Sequence, residues 1–290
     1  MSEVRPHHPP TGRSSLQEGR MAETEQQRIE AILSSGITLP APDAHLLELM
    51  RISASDDSGL DEIAAVVALD PAITGAVFRV AASPVFGQIR PRRTILEAVV
   101  LLGKTKVLAV ATSTALRLRF SDIDARAIET IWNASHTVAT QAWAAARRSS
   151  KRGLADLAFL AGLLHEAGIA LLLRQHPEHA QLCHGDHTAI DALGLQLDTL
   201  LDTSHAGIGA MIARSWKLPD EVADAIAIHH SAPDVDAQPA TPVLLAGLLA
   251  AGRQLAGSIS AAEFTLWTPL LENTLALDCD DLAPANQRPA

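Results

Sequence analysis

The stretch of residues 154–173 constrains the fold of this chain most, because it is nearly apolar on every side and carries His165 and Glu166 at its middle. A helix that is hydrophobic all round is buried, either at the centre of a large protein or in a membrane. A membrane span would place His165 and Glu166 in hydrocarbon, which is costly for ionisable groups. The stretch therefore predicts one continuous helix over residues 154–174 at the centre of a soluble protein.

Helix signals follow one another along the chain and predict an all-α fold. Ala and Leu dominate and Tyr is absent, whereas strands favour aromatic and β-branched residues. No alternating strand pattern and no internal repeat is found. Ser58, Asp70, Thr94 and Ser121 are predicted to cap helices. The predicted helices span residues 23–34, 44–52, 60–69, 71–82, 94–103, 105–118, 122–148, 154–174, 189–201, 204–216, 219–230, 242–256 and 261–275.

A polar break near residues 148–153 predicts two helical lobes. The first twenty or so residues are rich in Pro, Ser, Gly and charge, and such a segment cannot offset its ordering entropy. The predicted organisation is a disordered tail at 1–22, a helical lobe at 23–120, a second lobe at 121–258, and a C-terminal helix with an acidic tail at 259–290.

Charge and cysteine content narrow the class of protein. The formal net charge is −10, which argues against direct nucleic-acid binding, since phosphate backbones require clustered Lys and Arg. Two cysteines are too few for a disulfide framework. The N-terminus has no apolar core of a secretory signal. We expect a cytoplasmic protein that makes no membrane contact.

The densest basic cluster consists of Arg90, Arg92 and Arg93 around Pro91. A solvated loop is the preferred interpretation. The functional alternative is a contact for a phosphate group or an acidic protein partner.

Histidines are the most informative polar residues, because several lie within or beside apolar helices. Buried polar groups are costly unless they are partnered, and helical bundles build metal sites from side chains on facing helices. Satisfied core histidines are the alternative interpretation. A histidine-rich connector at 176–187 is predicted to be a solvated loop, with zinc as the less favoured alternative. The candidates for a common pocket, with an optional divalent metal, are His136, His165, Glu166, His205, His229 and His230.

The order of these residues is similar to that of HD-type metal phosphohydrolases, and the chain more closely resembles their HDOD relatives. The blocks that carry the resemblance, over roughly residues 26–255, are Leu39–Pro42, Leu69–Gly87, Thr94–Val107, His205–Pro219 and His229–His230. The resemblance implies a second lobe with the HD-phosphohydrolase-like fold.

Departures from the catalytic pattern matter as much as the matches. Glu166 stands where the HD pattern has Asp, Ala167-Gly168-Ile169 replaces Ile-Gly-Lys, and residues 244–257 lack the late aspartate. A hydrolytic metal centre needs carboxylates to balance the metal charge and to hold a nucleophilic water. The chain is therefore predicted to have no catalytic residues and no obligatory cofactor.

The resemblance to HDOD proteins implies a bacterial signalling module that regulates through binding. The expected partner is a signalling protein or a small ligand in the groove between the two lobes. A third possibility is a ligand sensor, in which the active-site region of the HD pattern binds a nucleotide without cleaving it. The alternative is a metal-dependent phosphohydrolase acting on nucleotides or cyclic dinucleotides, with the six pocket residues as metal ligands.

Overall fold

The structure is a computed structural model that describes residues 39–55, 57–86, 94–231, 233 and 239–284. The predicted tail at 1–22, the predicted helix at 23–34 and the basic cluster of Arg90, Arg92 and Arg93 lie outside the described residues.

Twelve α-helices form the described part of the chain, which contains no β-strand, and this confirms the all-α prediction. The helices are α1 Ala44–Ser53, α2 Leu60–Ala68, α3 Pro71–Ala81, α4 Ile95–Leu118, α5 Ala125–Arg148, α6 Ala155–Leu164, α7 Ala167–Gln175, α8 Ile190–Leu201, α9 His205–Ser215, α10 Asp220–Ala227, α11 Thr241–Ala256 and α12 Ala261–Asn273. Short 3₁₀ turns lie at Pro84–Phe86, Arg152–Leu154, Pro177–His184, His187–Ala189 and Asp280–Leu282.

The helices form two lobes. Helices α1 to α4 pack on one another, and α5 to α12 form the second lobe around α5, α6 and α11. Small residues set the spacing of these three central helices. A Cβ added at Gly162 would lie 2.4 Å from the Cα of Ala139, and one at Gly252 would lie 2.8 Å from the amide nitrogen of Ala142. The many small residues therefore allow the central helices to pack close to one another.

Side chains tie the lobes together. Helix α4 packs against α6, and Trp132 Nε1 on α5 donates to the carbonyl oxygen of Ser113 on α4 at 3.1 Å. Lys106 on α4 pairs with Asp156 on α6 at 2.9 Å. The residue boundaries predicted for the two lobes remain predictions. The groove between the lobes lies among helices α3, α4, α5 and α6.

The predicted single helix over 154–174 is wrong, because α6 ends at Leu164 and α7 begins at Ala167. Helix α7 begins where it meets α9: a Cβ at Gly168 would lie 2.0 Å from the carbonyl oxygen of His205. Residues 152–175 are long and apolar enough to span a membrane by length and composition, yet 89% of their most apolar window is buried within the fold. That packing is typical of a core helix.

Two of the four predicted caps are wrong. Asp70 caps α3 as expected, with its carboxylate accepting from the amides of Ala72 and Ile73. Thr94 caps α4 as expected, with its hydroxyl accepting from the Glu97 amide at 3.2 Å. The cap of α2 is Gly59 without a side-chain bond, and that of α5 is Asp124. The predicted break at Gly103 is a kink within α4, where φ of 78° suits glycine.

Candidate functional site

The break between α6 and α7 places His165 and Glu166 at the centre of the second lobe. Both side chains are fully buried. The Nδ1 atom of His165 donates to the carbonyl oxygen of Gly162 at 2.8 Å, so the ring is fixed by the last turn of α6. Its Nε2 atom has no hydrogen-bond partner within the described part of the chain.

His205 reaches the same point from the first turn of α9. The carboxylate of Asp198, on α8, accepts from the His205 amide at 2.5 Å and from ring Nδ1 at 2.7 Å. His205 Nε2 lies 3.2 Å from Glu166 Oε2. Burial alone would lower the pKa of His205, but the carboxylates of Glu166 and Asp198 raise it to about 10. The histidines in turn lower the pKa of Glu166 against the effect of its own burial, so this carboxylate is ionised.

His229 and His230 follow the end of α10. The Nδ1 atom of His229 donates to the carbonyl oxygen of Ile226 at 2.6 Å. Its ring lies 5.3 Å from that of His165 and 5.5 Å from that of His205, between centroids. Burial and the neighbouring His230 and Arg253 lower the pKa of His229 well below its usual value. This ring is therefore neutral.

Arg253 on α11 is a member of the site that the sequence analysis missed. Its side chain is fully buried. It donates from Nε to Asp191 Oδ2 at 2.6 Å and from Nη1 to Glu263 Oε1 at 2.8 Å. A third bond, at 2.9 Å, goes to the carbonyl oxygen of His229. The sequence feature that could have revealed Arg253 is its position as an isolated arginine inside the apolar segment 244–257, where the HD pattern has an aspartate.

Seven buried side-chain atoms around this point have no hydrogen-bond partner within the described residues. They are His165 Nε2, Glu166 Oε1, Glu166 Oε2, Asp191 Oδ1, His205 Nε2, His229 Nε2 and His230 Nε2. They form two overlapping groups of possible metal ligands, each within 4.8 Å: Glu166 with His205, His229 and His230, and Glu166 with His165 and Asp191. Buried polar atoms without partners are rare in native proteins and require an explanation.

The donor set fits a divalent ion. Imidazole nitrogens with one or two carboxylates suit zinc and its first-row neighbours. Metal-binding histidines usually have the other ring nitrogen held by a carbonyl or carboxylate, and His165, His205 and His229 are held in this way. His230 Nδ1 lies 3.0 Å from Glu263 and 3.1 Å from Arg253. Only the tautomer that donates to Glu263 leaves Nε2 free to bind a metal.

The site is closed to solvent on most of its sides. His165, Glu166, His205 and His229 all have 0% exposure, and the His230 side chain is 12% exposed. A structural metal site is closed, whereas a catalytic one keeps a position open for water and substrate.

His136 does not belong to this cluster, which corrects the predicted six-residue pocket to the other five residues. It lies on the side of α5 that faces the first lobe, where it lines a separate cavity together with Arg79 and Arg117. Burial, and then the charge of Arg79, lower the pKa of His136. The sequence places His136 on a core helix, but it does not show which neighbouring helix the side chain faces.

The histidine-rich connector forms no group of three metal ligands among its described side chains. Burial raises the pKa of Cys183 to about 12, so its thiol is protonated. His184 instead contacts Asp124 at 2.7 Å.

Solved structures of several proteins share this fold and define the class. A protein from Shewanella amazonensis SB2B, named as a candidate metal-dependent phosphohydrolase, is 20% identical, with a TM-score of 0.65 over 91% of this chain and 95% of that one. An HDOD domain protein from Geobacter sulfurreducens is 21% identical, with a TM-score of 0.64 over 90% and 93%. The class is the helical HDOD and phosphohydrolase-like fold.

The sequence comparison gives the family. The HDOD domain family model matches residues 39–232, and the chain belongs to the HDOD family. A protein of Treponema pallidum (strain Nichols), named only as uncharacterized, is 27% identical over 214 residues. The match covers 73% of this chain and 41% of that protein, so the chain spans less than half the length of this relative. A candidate signal transduction protein from Marinobacter aquaeolei VT8 is 25% identical, with a TM-score of 0.58 over 86% of this chain and 56% of that one. HDOD membership and this neighbour fit a regulatory role.

Proposed function

We propose that this HDOD chain is a non-catalytic regulatory module of bacterial signal transduction, which acts in the cytoplasm by binding a protein partner or a small ligand. The observation that carries the proposal is the complete burial of the histidine cluster. The donor atoms of His165, Glu166, His205 and His229 are sealed from solvent. A phosphodiester and its attacking water have no route to them in this conformation.

The charges of the site support the same proposal. A hydrolytic centre uses free carboxylates to balance metal charge and to orient a hydroxide. Here the guanidinium of Arg253 already pairs with Asp191 and Glu263. This internal cation neutralises two of the carboxylates nearest the histidines, whereas Glu166 and Asp198 both lie against His205.

A metal-dependent phosphohydrolase acting on nucleotides or cyclic dinucleotides is the second candidate function. The observation that favours it is the convergence of seven buried nitrogen and oxygen atoms without hydrogen-bond partners. It requires the site to open, because a substrate must displace the residues that now cover the donors.

A cell-based complementation experiment tests whether function requires chemistry at the site. A strain that lacks the gene is complemented with the wild type, with Glu166→Gln, or with Glu129→Gln, which removes an exposed carboxylate on α5. Immunoblots confirm equal amounts of each protein. We expect all three alleles to restore the regulated phenotype. Failure of Glu166→Gln alone, at normal abundance, would contradict a non-catalytic role.

Purified protein provides the complementary assay. The full chain is incubated with Zn²⁺, Mn²⁺, Fe²⁺ or Ni²⁺ and given bis(p-nitrophenyl) phosphate or a cyclic dinucleotide. We expect no hydrolysis above that of Glu166→Gln. Turnover that Glu166→Gln abolishes and Glu129→Gln preserves would establish the phosphohydrolase alternative.

A further inference from the structure

A cavity of about 200 Å³ lies between the lobes, away from the histidine cluster. Arg79 on α3 and Arg117 on α4 reach it from the first lobe, and Asn133 and His136 on α5 reach it from the second. The cavity therefore joins side chains from both lobes at one point in the groove.

Ser113 and Thr114 in the lining hydrogen-bond to protein groups, whereas the other four polar side chains of the cavity lack protein partners among the described residues. Neither the guanidinium group of Arg79 nor that of Arg117 forms a hydrogen bond or ion pair within the described part of the chain, and the Asn133 amide and His136 ring likewise form none. By contrast, Arg51, Arg148 and Arg214 each pair with a carboxylate. No carboxylate is found among the described residues that line the cavity.

Exposed arginines elsewhere, such as Arg126 and Arg152, also lack an ion pair among the described residues, but Arg79 and Arg117 converge on one cavity. Acidic residues number 33 and basic residues 23, so carboxylates are abundant, yet the two arginines face the cavity without one. The positive field of Arg79 also lowers the pKa of His136, in addition to the effect of burial. A bound anion would relieve this repulsion.

The remaining lining comes from the apolar side chains of Ala76, Val80, Val110 and Leu163, from Trp132, and from the hydroxyl-bearing Ser113 and Thr114. Drug-sized ligands occupy pockets of about 300 Å³ or more. The cavity is smaller than that and suits a short carbon body with one or two anionic groups. It is too small to enclose a cyclic dinucleotide.

We propose that the inter-lobe cavity binds a small organic anion that carries phosphate or carboxylate groups. Arg79 and Arg117 hold the anionic group through charge-assisted hydrogen bonds, Asn133 and His136 contact it from the second lobe, and the apolar lining packs against its carbon body. This binding goes beyond the proposed regulatory role and does not depend on it.

Isothermal titration calorimetry of the full chain tests the proposal. The probes are phosphoglycolate for the phosphate arm, citrate for the carboxylate arm, and glycerol as the neutral control. We expect saturable binding of at least one anion and none of glycerol. A charge-assisted hydrogen bond is worth enough that Arg79→Gln and Arg117→Gln should each weaken binding about tenfold or more.

The matched control removes two positive charges elsewhere. Arg126 and Arg152 are exposed and do not line this cavity, so the Arg126→Gln, Arg152→Gln double variant should bind the anion as the wild type does. Equal weakening in this control would mean nonspecific attraction and would overturn the proposal. Absence of binding by both anions would overturn it as well.

Discussion

The buried histidine cluster and the inter-lobe cavity both contain several ionisable side chains, but they differ in whether each charged group has an opposite charge beside it. In the cluster, every charged group has a counter-charge nearby, as Arg253 has Asp191 and Glu263. In the cavity, Arg79 and Arg117 have none within the described residues. The comparison shows two arrangements of charge: the histidine cluster lies in the core with its charges paired, whereas the cavity between the lobes has two arginines and no carboxylate among its described lining residues.

Removing the buried cation is expected to have the largest effect. Arg253→Met removes the ion-pair partner of the buried Asp191 and leaves Glu263 with His230 alone. Breaking a buried ion pair by removing one partner costs about 3–5 kcal/mol. Urea unfolding followed by circular dichroism measures the loss. Exposed Arg126→Met should change the free energy of unfolding by no more than about 0.5 kcal/mol. A loss below about 1 kcal/mol for Arg253→Met would contradict its proposed role as the internal counter-charge.

A divalent ion is expected to have the next largest effect. At a free Zn²⁺ concentration of about 100 times the dissociation constant, binding to the folded state alone adds about 2.7 kcal/mol. Chelator-treated protein should therefore melt at a higher temperature after Zn²⁺ is added back. Glu166→Gln should lose most of this increase. An equal increase in both proteins would show that the ion binds elsewhere.

Gly168→Ala tests the backbone contact that shapes the cluster. The added Cβ would lie 2.0 Å from the carbonyl oxygen of His205, and overpacking of this kind costs about 1–3 kcal/mol. Gly153→Ala is the matched control, because a Cβ there meets nothing within 4 Å. Chemical denaturation of the two variants, side by side, provides the measurement. Equal stability of both would mean that α7 and α9 separate without cost.

The cavity arginines are expected to have the smallest effect on stability. Without ligand, the Arg79→Gln, Arg117→Gln double variant removes mutual repulsion and no ion pair, so its free energy of unfolding should stay within about 0.5 kcal/mol of the wild type. Thermal and urea unfolding measure it. A loss comparable to that of Arg253→Met would assign the pair a structural role and remove the contrast between the two regions.

The apolar run with a polar pair at its middle was sufficient to predict the core position of His165 and Glu166. It could not predict that the helix breaks there, because the contact next to the break joins Gly168 and His205, residues 37 positions apart. The sequence places these two residues on separate helices, but it does not give the distance between them in the fold.

Arg253 and His136 illustrate two further limits of the sequence. An arginine in an apolar segment predicts a buried ion pair only when the carboxylates that partner it are known. The partners of Arg253 are Asp191 and Glu263, which lie on other helices. His136 was grouped with the other histidines by residue type. Its position on α5 turns it toward Arg79 and the first lobe, and only packing decides which face of a long helix meets which neighbour.

The contact of α5 with α6 and α11, through Ala139, Ala142, Gly162 and Gly252, bears on how a signal would travel. These helices touch almost main chain to main chain, so no long side chains lie between them that could change rotamer and absorb a displacement. We therefore expect a displacement of α5 to move α6 and α11 together with it. Residues 133 and 136 of α5 border the inter-lobe cavity, so a displacement that begins at the cavity would pass through α5 to the second lobe.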